Sequence, residues 1–333
     1  MRKRDIHPRK ARRDYFKARR GNIKDSSLRS YEFPTRDFIE FLESNGIKSM
    51  SEVDGYHVEQ WKLQRKDDGI KQITLVNNVK HLRRFIKWCE SASIVQSGLY
   101  DKIEVPSVSR EQEASQDKVT QEKAEKILEY LEVYEYATRQ HALFQFLWHT
   151  GCRISGAVSL DLCDYDPQQN HVKFRDRGET GTALKNGGQG ERNVTLSENV
   201  IEVLNDYIAA RREEVDDKHG RQPLFTTSEG RMRRQRAYKD FVAVSRPCVY
   251  TNDCPHNREI EDCDATLKKR AYKCPSSLSL HPIRRGSITR HLKNSWPKEA
   301  VSERCDVSVG VLEKHYDARN EEEKRLGRRE FTE

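Results

Sequence analysis

Residues 105 to 119 read VPSVSREQEASQDKV, fifteen positions with almost no apolar anchor. A stretch that offers nothing to bury is a connection rather than an element, so it divides the chain into two folding units. Before it lie three helical patterns. The first is carried by Tyr31, Phe33, Phe38, Ile39, Phe41 and Leu42, with Pro34 at a helix start or kink. The second is expected from near Ser51, with Glu52 and Asp54 in its first turn, through Val58 and Trp61 to Lys66. The third spans Ile73 to Trp88, with Leu75, Val76, Val79, Leu82, Phe85 and Ile86 at helical spacing. After the connection, Thr120 is placed to cap a helix whose apolar face is Ala124, Ile127, Leu128 and Leu131. A second helix is expected from Ala137 to Thr150, ended by Gly151, and a third for two or three turns after Cys152. The period then changes from helical to alternating. His171 to Arg175 and Arg192 to Leu196 read as strands around the turn-rich GETGTALKNGGQGE. Val200, Ile201, Leu204, Tyr207 and Ile208 mark another helix, and the chain is helical again after Leu280. The expected fold is mainly α with a small antiparallel β-sheet: a helical domain followed by an α+β domain. The expected boundaries are a basic arm at 1–24, a helical domain at 25–104, a linker at 105–119, a larger domain at 120–320 and a tail at 321–333.

The net charge of +8 is placed unevenly. Residues 1 to 24 hold 11 Lys and Arg against two Asp, so the other 309 residues sum to about −1. A basic arm on a near-neutral body suits a polyanion, because each cation that neutralises a phosphate releases a counterion. A solubilising terminus has the same composition. No apolar run reaches the length of a membrane span, and no hydrophobic stretch follows MRKRDIHPRK, so a soluble, cytoplasmic protein with no membrane partner is expected.

Three separated segments carry the chemistry. TGCRISGAVSLDLCDYD (150 to 166) places Arg153 after a Thr-Gly turn, LSLHPIRRGSITRHL (278 to 292) places His281 and Arg284 at the head of a helix, and VSVGVLEKHYDAR (307 to 319) ends near Tyr316. In this order they resemble the tyrosine recombinase (phage integrase) family, and most of all its archaeal branch. The resemblance implies a helical, SAM-like core-binding domain followed by a catalytic domain. It implies a site-specific recombinase that cleaves and rejoins double-stranded DNA through a 3′-phosphotyrosine, without ATP or a catalytic metal or other cofactor. A homotetramer on the recombining sites and residence on a mobile element follow from the same likeness. By that resemblance Tyr316 attacks phosphorus, Arg153 and Arg284 grip the nonbridging oxygens, and His281 bonds one of them or helps deprotonate the tyrosine. Lys185, in the turn between the strands, protonates the leaving 5′-oxygen. Two arginines can do the work of a metal ion because their forks are permanently charged and bidentate.

Each residue alone has an ordinary explanation. Tyr316 shares a stripe with Val309 and Leu312, His281 could cap the helix that Pro282 opens, and Lys185 could simply face solvent. Two positions depart from the family pattern. Gly156 stands where an acidic residue usually follows the first arginine. Val307, with Asp306 beside it, stands where a His or Trp usually precedes the tyrosine by nine. His315 adjoins Tyr316 but does not inherit that role.

Eight cysteines without an export signal argue against a disulfide scaffold. Four of them, Cys248, Cys254, Cys263 and Cys274, fall within 27 residues of an insertion (248–274) that is poor in core residues. One structural zinc on these four thiolates is expected, with His256 as the alternative to one of them. Cys89, Cys152, Cys163 and Cys305 read as small packing residues. Three other readings compete: a noncatalytic helix-turn-helix regulator built on Ala300 to Tyr316, a type IB topoisomerase, and a zinc-held structural protein.

Overall fold

The computed structural model describes residues 4–23, 25–108, 118–317 and 319–329. The chain divides into two compact units between Gln116 and Asp117. Most of the expected linker, 109–117, lies outside the described residues, as do 1–3 of the arm and 330–333 of the tail.

In the first unit the described elements are helices: α1 (Pro8–Arg19), α2 (Asp25–Ser44), α3 (Gly55–Asp67), α4 (Gln72–Ser91) and the single turn α5 (Leu99–Lys102). α1, α2, α3 and α5 all pack on α4. Phe38, Leu42, Trp61, Leu75, Leu82 and Phe85 form the fully buried centre. Pro34 lies inside α2 rather than at its start. α3 begins at Gly55, later than expected near Ser51, because Asp54 closes the helix end. Its carboxylate accepts from the His57 N–H at 3.1 Å, while the Asp54 N–H donates to His57 Nδ1. Met50–Glu52 form a separate 3-10 turn.

The basic arm is corrected in the same way. Half of it, 12 of 24 residues, is helix α1, with an apolar face of Pro8, Ala11 and Tyr15 that is buried. The Tyr15 ring meets Phe85 edge-on at 5.3 Å. Three apolar positions at helical spacing suffice to dock a helix that its composition makes look solvated. Part of its charge is spent within the unit, Arg9 on Glu43 at 2.6 Å and Lys10 on Asp14 at 2.6 Å.

The second unit opens with α6 (Gln121–Tyr134), α7 (Arg139–Thr150) and the one-turn α8 (Ile154–Ala157), shorter than the two or three turns expected. Strands β1 (Tyr165–Asp166), β2 (His171–Phe174) and β3 (Arg192–Thr195) form an antiparallel sheet in that order, with Val172 opposite Val194. Then come α9 (Glu198–Ala210), the two-residue strands β4 (Thr226–Thr227) and β5 (Gly230–Arg231), α10 (Arg234–Val244) and α11 (Pro247–Tyr250). The chain closes with α12 (Leu280–Lys293), α13 (Lys298–Cys305), α14 (Val309–His315) and α15 (Glu321–Arg329). α7 is the spine. It packs on α6, α9 and α12, and nearly every residue from His141 to Thr150 is buried. A second, smaller core joins Ile288, Leu292, Val301, Cys305, Val307, Leu312 and Tyr316. The Tyr316 stripe therefore runs through Leu312 and Val307, with Val309 only half-buried.

α12 reaches this position over a glycine. A Cβ on Gly286 would stand 2.0 Å from the Val119 carbonyl oxygen and 2.8 Å from Trp148 Cζ3. The Val119 N–H in turn donates to the Pro282 carbonyl at 3.1 Å, so the entering chain is pinned on α12. Gly286→Ala is expected to destabilise the unit by roughly 2–3 kcal/mol, since backbone cannot yield as a side-chain tip can. For a domain of this size that lowers the melting temperature by roughly 5–10 °C. Gly188→Ala, with nothing within 4 Å of the added carbon, is the control and leaves the melting temperature nearly unchanged.

Candidate active site

The end of α7 sets Arg153. Thr150 Oγ accepts from the Cys152 N–H at 3.3 Å, and Gly151 closes the helix with φ 61. Gly151 is needed there for space as well as for backbone angle, because a Cβ would meet Cys305 Sγ at 2.9 Å. Arg153 then caps α8, its carbonyl accepting from the Gly156 N–H at 2.8 Å. Its side chain crosses to the turn between α13 and α14. Nη1 donates to the Asp306 carbonyl at 2.6 Å and to Asp306 Oδ2 at 2.5 Å.

Arg284, the fifth residue of α12 and only 2% exposed, reaches the same turn. Its Nη1 donates to the Gly151 and Cys305 carbonyls, both at 2.7 Å, and Nη2 approaches the Asp306 carbonyl at 3.4 Å. Burial, then the like charge of Arg284, lowers the Arg153 pKa from its usual 12.5. His281 does not cap α12, since Ser279 holds that position. Its Nε2 instead faces the Tyr316 hydroxyl at 3.5 Å, the outer edge of hydrogen-bonding distance. Burial, followed by Arg285, Arg284 and Arg153, lowers the His281 pKa from 6.5, which favours a neutral imidazole.

Tyr316 closes α14, its N–H donating to the Leu312 carbonyl at 2.9 Å and its carbonyl accepting from Thr289 Oγ1 at 3.0 Å. The ring is 7% exposed, with the Arg284 guanidinium 5.7 Å and the Arg285 guanidinium 6.0 Å from its centre. Lys185 is exposed on the connection from β2 to β3. It lines a cleft of about 690 Å³ together with Arg153, His281 and Arg284. The next residue, Asn186, donates to Asp306 Oδ1 at 2.7 Å.

Four of the five expected residues, Arg153, Lys185, His281 and Arg284, thus line one cleft, and the fifth, Tyr316, meets His281. Sequence reasoning gave no role to Asp306, Asn186 and Arg285. The one available signal was the absence of a His or Trp nine residues before Tyr316. Arg234 and Tyr238 on α10 also line the cleft, and no motif announced them.

The cysteine insertion is built of turns, with 3-10 segments at Asp264–Thr266 and Lys268–Lys273. Cys248, Cys254, Cys263 and Cys274 are half-buried and free. Burial raises the Cys248 pKa, and the influence of Cys274, Cys254 and Cys263 adds to the rise. Among the described residues, however, the metal-type donors brought within 4.8 Å of one another are Asp161, Cys163 and Asp164, not these four. Asp161 and Asp164 are already neutralised by Arg177 and Arg231. His256 Nε2 is bonded to Ser276 Oγ at 3.0 Å.

Residues 117–316, more than half of the chain, match the model of the phage integrase family. Among curated proteins, the tyrosine recombinase XerD of Oceanobacillus iheyensis is 22% identical over 65% of this chain and 69% of its own length. XerD of Staphylococcus saprophyticus is 22% identical over 88% of each. In solved structures, the fold is shared with the Tn1549 transposon integrase in complex with a circular intermediate DNA (TM-score 0.68, 15% identity, 98% of this chain and 99% of that one). It is shared too with the XerH site-specific recombinase bound to palindromic difH substrate (TM-score 0.65, 16% identity, 92% and 80%). With its two arginines bonded to the turn after α13, its tyrosine closing the helix that follows, and this match over residues 117–316, the chain belongs to the phage integrase family of tyrosine recombinases.

Proposed function

We propose that this protein is a site-specific DNA recombinase in which Tyr316 is the nucleophile. The observation that carries the reading is convergence. Arg153 and Arg284, 131 positions apart, both donate to the short turn that leads into the helix ending at Tyr316. In the reaction the Tyr316 oxygen bonds phosphorus, the bond from phosphorus to the 5′-oxygen breaks, and the 3′-phosphate stays on the protein. Charge that builds on the nonbridging oxygens is met by donors already in place, which favours the transition state over the ground state. Neutral His281 accepts the phenol proton, and Lys185 gives one to the departing oxygen. Attack by a free 5′-hydroxyl reverses each step, so the ester itself conserves the energy for joining. The partner is double-stranded DNA, and exchange between two duplexes calls for a homotetramer. The likeness of the three motifs to the archaeal branch supports an archaeal-type integrase, carried on a mobile element.

A noncatalytic helix-turn-helix regulator would leave Arg153, Arg284 and Lys185 without a task. The family match across the second unit likewise favours a recombinase over a type IB topoisomerase. A structural zinc on Cys248, Cys254, Cys263 and Cys274 belongs to the same reading. The insertion they span buries little apolar surface of its own, with Ala265 and Ala271 its buried apolar residues. The engagement of His256 with Ser276 favours four thiolates over three.

Tyr316→Phe removes one oxygen and keeps the packed ring, so it should bind a nicked target site as the unmutated chain does and form no covalent adduct. An adduct at the normal rate in that variant would contradict the assignment. The lowered His281 pKa gives a second expectation. The neutral, accepting form persists as pH falls past 6.5 and is lost only below it, so the acid limb of the cleavage rate should lie below 6.5 and be absent in His281→Gln. A limb centred above 6.5 would contradict this role. For the zinc, elemental analysis should find about one ion per chain, and Cys254→Ser should lose it with a lower melting temperature. No zinc, together with unchanged melting of that variant, would refute the site.

A further inference from the structure

The family's usual acid is missing at Gly156, and the structure explains why it is not simply replaced there. A Cβ on Gly156 would press on the Phe174 ring at 3.2 and 3.3 Å. That ring is in turn covered by the Arg192 guanidinium 4.1 Å from its centre. A longer acidic side chain would have to displace the aromatic residue of β2. The carboxylate that Arg153 does meet comes from Asp306, which holds φ 52 and ψ 62, a left-handed conformation that Asp and Asn tolerate better than other side-chain-bearing residues. One carboxylate oxygen takes Arg153 at 2.5 Å and the other takes Asn186 at 2.7 Å. Its backbone carbonyl takes Arg153 again at 2.6 Å and lies 3.4 Å from Arg284 Nη2. The fit is close, for a Cβ on Gly190 would come within 3.4 Å of Oδ2.

We infer that Asp306 is the positioning residue of this active site, holding Arg153 in place of the absent acid and, through Asn186, fixing the loop that carries Lys185. The inference rests on the recombinase reading above and adds the residue that orients its parts. Both contacts to Asp306 use the Nη1 edge of Arg153. Nε and Nη2 make no other hydrogen bond among the described residues, so they are the donors left for a phosphate. A guanidinium anchored at one edge presents the other in a fixed direction, which an unanchored, flexible arginine does not. Asp306 thereby stands next to the position of the usual His or Trp but does different work: it orients a donor instead of being one.

The test is single-turnover adduct formation on a nicked site at saturating protein. Asp306→Asn keeps the volume and the backbone preference and removes the charge. It should slow the reaction by about 10- to 100-fold, as loss of a supporting partner does around other catalytic groups. DNA affinity and melting temperature should stay close to those of the unmutated chain. In an Arg153→Ala background the same change should cost less than about 2-fold, because the residue acts through Arg153. Asn186→Ala cuts the other link on an exposed loop, and its smaller loss should vanish when Lys185→Ala is already present. This second cycle decides the matter even if the Asp306 variant folds poorly. Equal losses with and without Arg153 would overturn the inference in favour of a structural role. Faster cleavage by Asp306→Asn would overturn it by making the carboxylate a competitor of the phosphate. Adduct formation by the unmutated chain, run alongside, separates these failures from failure of the recombinase reading itself.

Discussion

The catalytic unit is organised around one ion pair and the turn that bears it, Arg153 on Asp306. From this turn α13 runs back toward Val301 and α14 runs on to Tyr316, so its position sets where the tyrosine ring lies against α12. Arg284 binds the same turn through the Cys305 carbonyl and binds the end of α7 through Gly151. Three chain segments far apart in sequence are thereby fixed to one another by backbone oxygens and one carboxylate. Two helix ends, a sheet connection and a small apolar cluster all meet there.

Bringing arginines together out of water is costly, and the way this cost is offset bears on mechanism. A buried guanidinium is tolerated when oxygens satisfy its N–H groups. Here Gly151, Cys305 and Asp306 supply carbonyls, and there is one carboxylate for two guanidiniums. The pocket is therefore held together while remaining net positive, as a site for a phosphodiester should be. Burial and the neighbouring arginines also lower the His281 pKa, which favours the neutral imidazole that the proposed proton transfer from Tyr316 requires.

Much of this was legible in the sequence, and the exceptions share a cause. The period of Leu75 to Ile86, the alternation at His171 and Arg192, the Thr120 cap and the Gly151 stop are local signals, and the elements stand where those signals put them. The order of the three motifs also pointed to the residues that gather in space. What failed to show was set by partners far along the chain. α1 looked like a solvated arm because its stripe is only Pro8, Ala11 and Tyr15, and its burial depends on α4. Gly286 looked like any glycine, although the Val119 carbonyl excludes every other side chain there. Asp306 looked like a defect in the motif, because only the fold reveals that Gly156 lies tight against the Phe174 ring and that Asn186 is within reach. Spacing reports which residue types are present, whereas the partner of a carboxylate is a property of packing.

The most direct test is to identify the atom that becomes joined to DNA. The protein would be incubated with a nicked target site so that cleavage cannot reverse, the complex digested, and the DNA-linked peptide sequenced by mass spectrometry. The account predicts a phosphate ester on Tyr316, in the peptide containing His315, Tyr316 and Asp317, with a free 5′-hydroxyl on the released strand. A phosphate on His315 or on a serine, or a released strand that carries a 5′-phosphate, would contradict it.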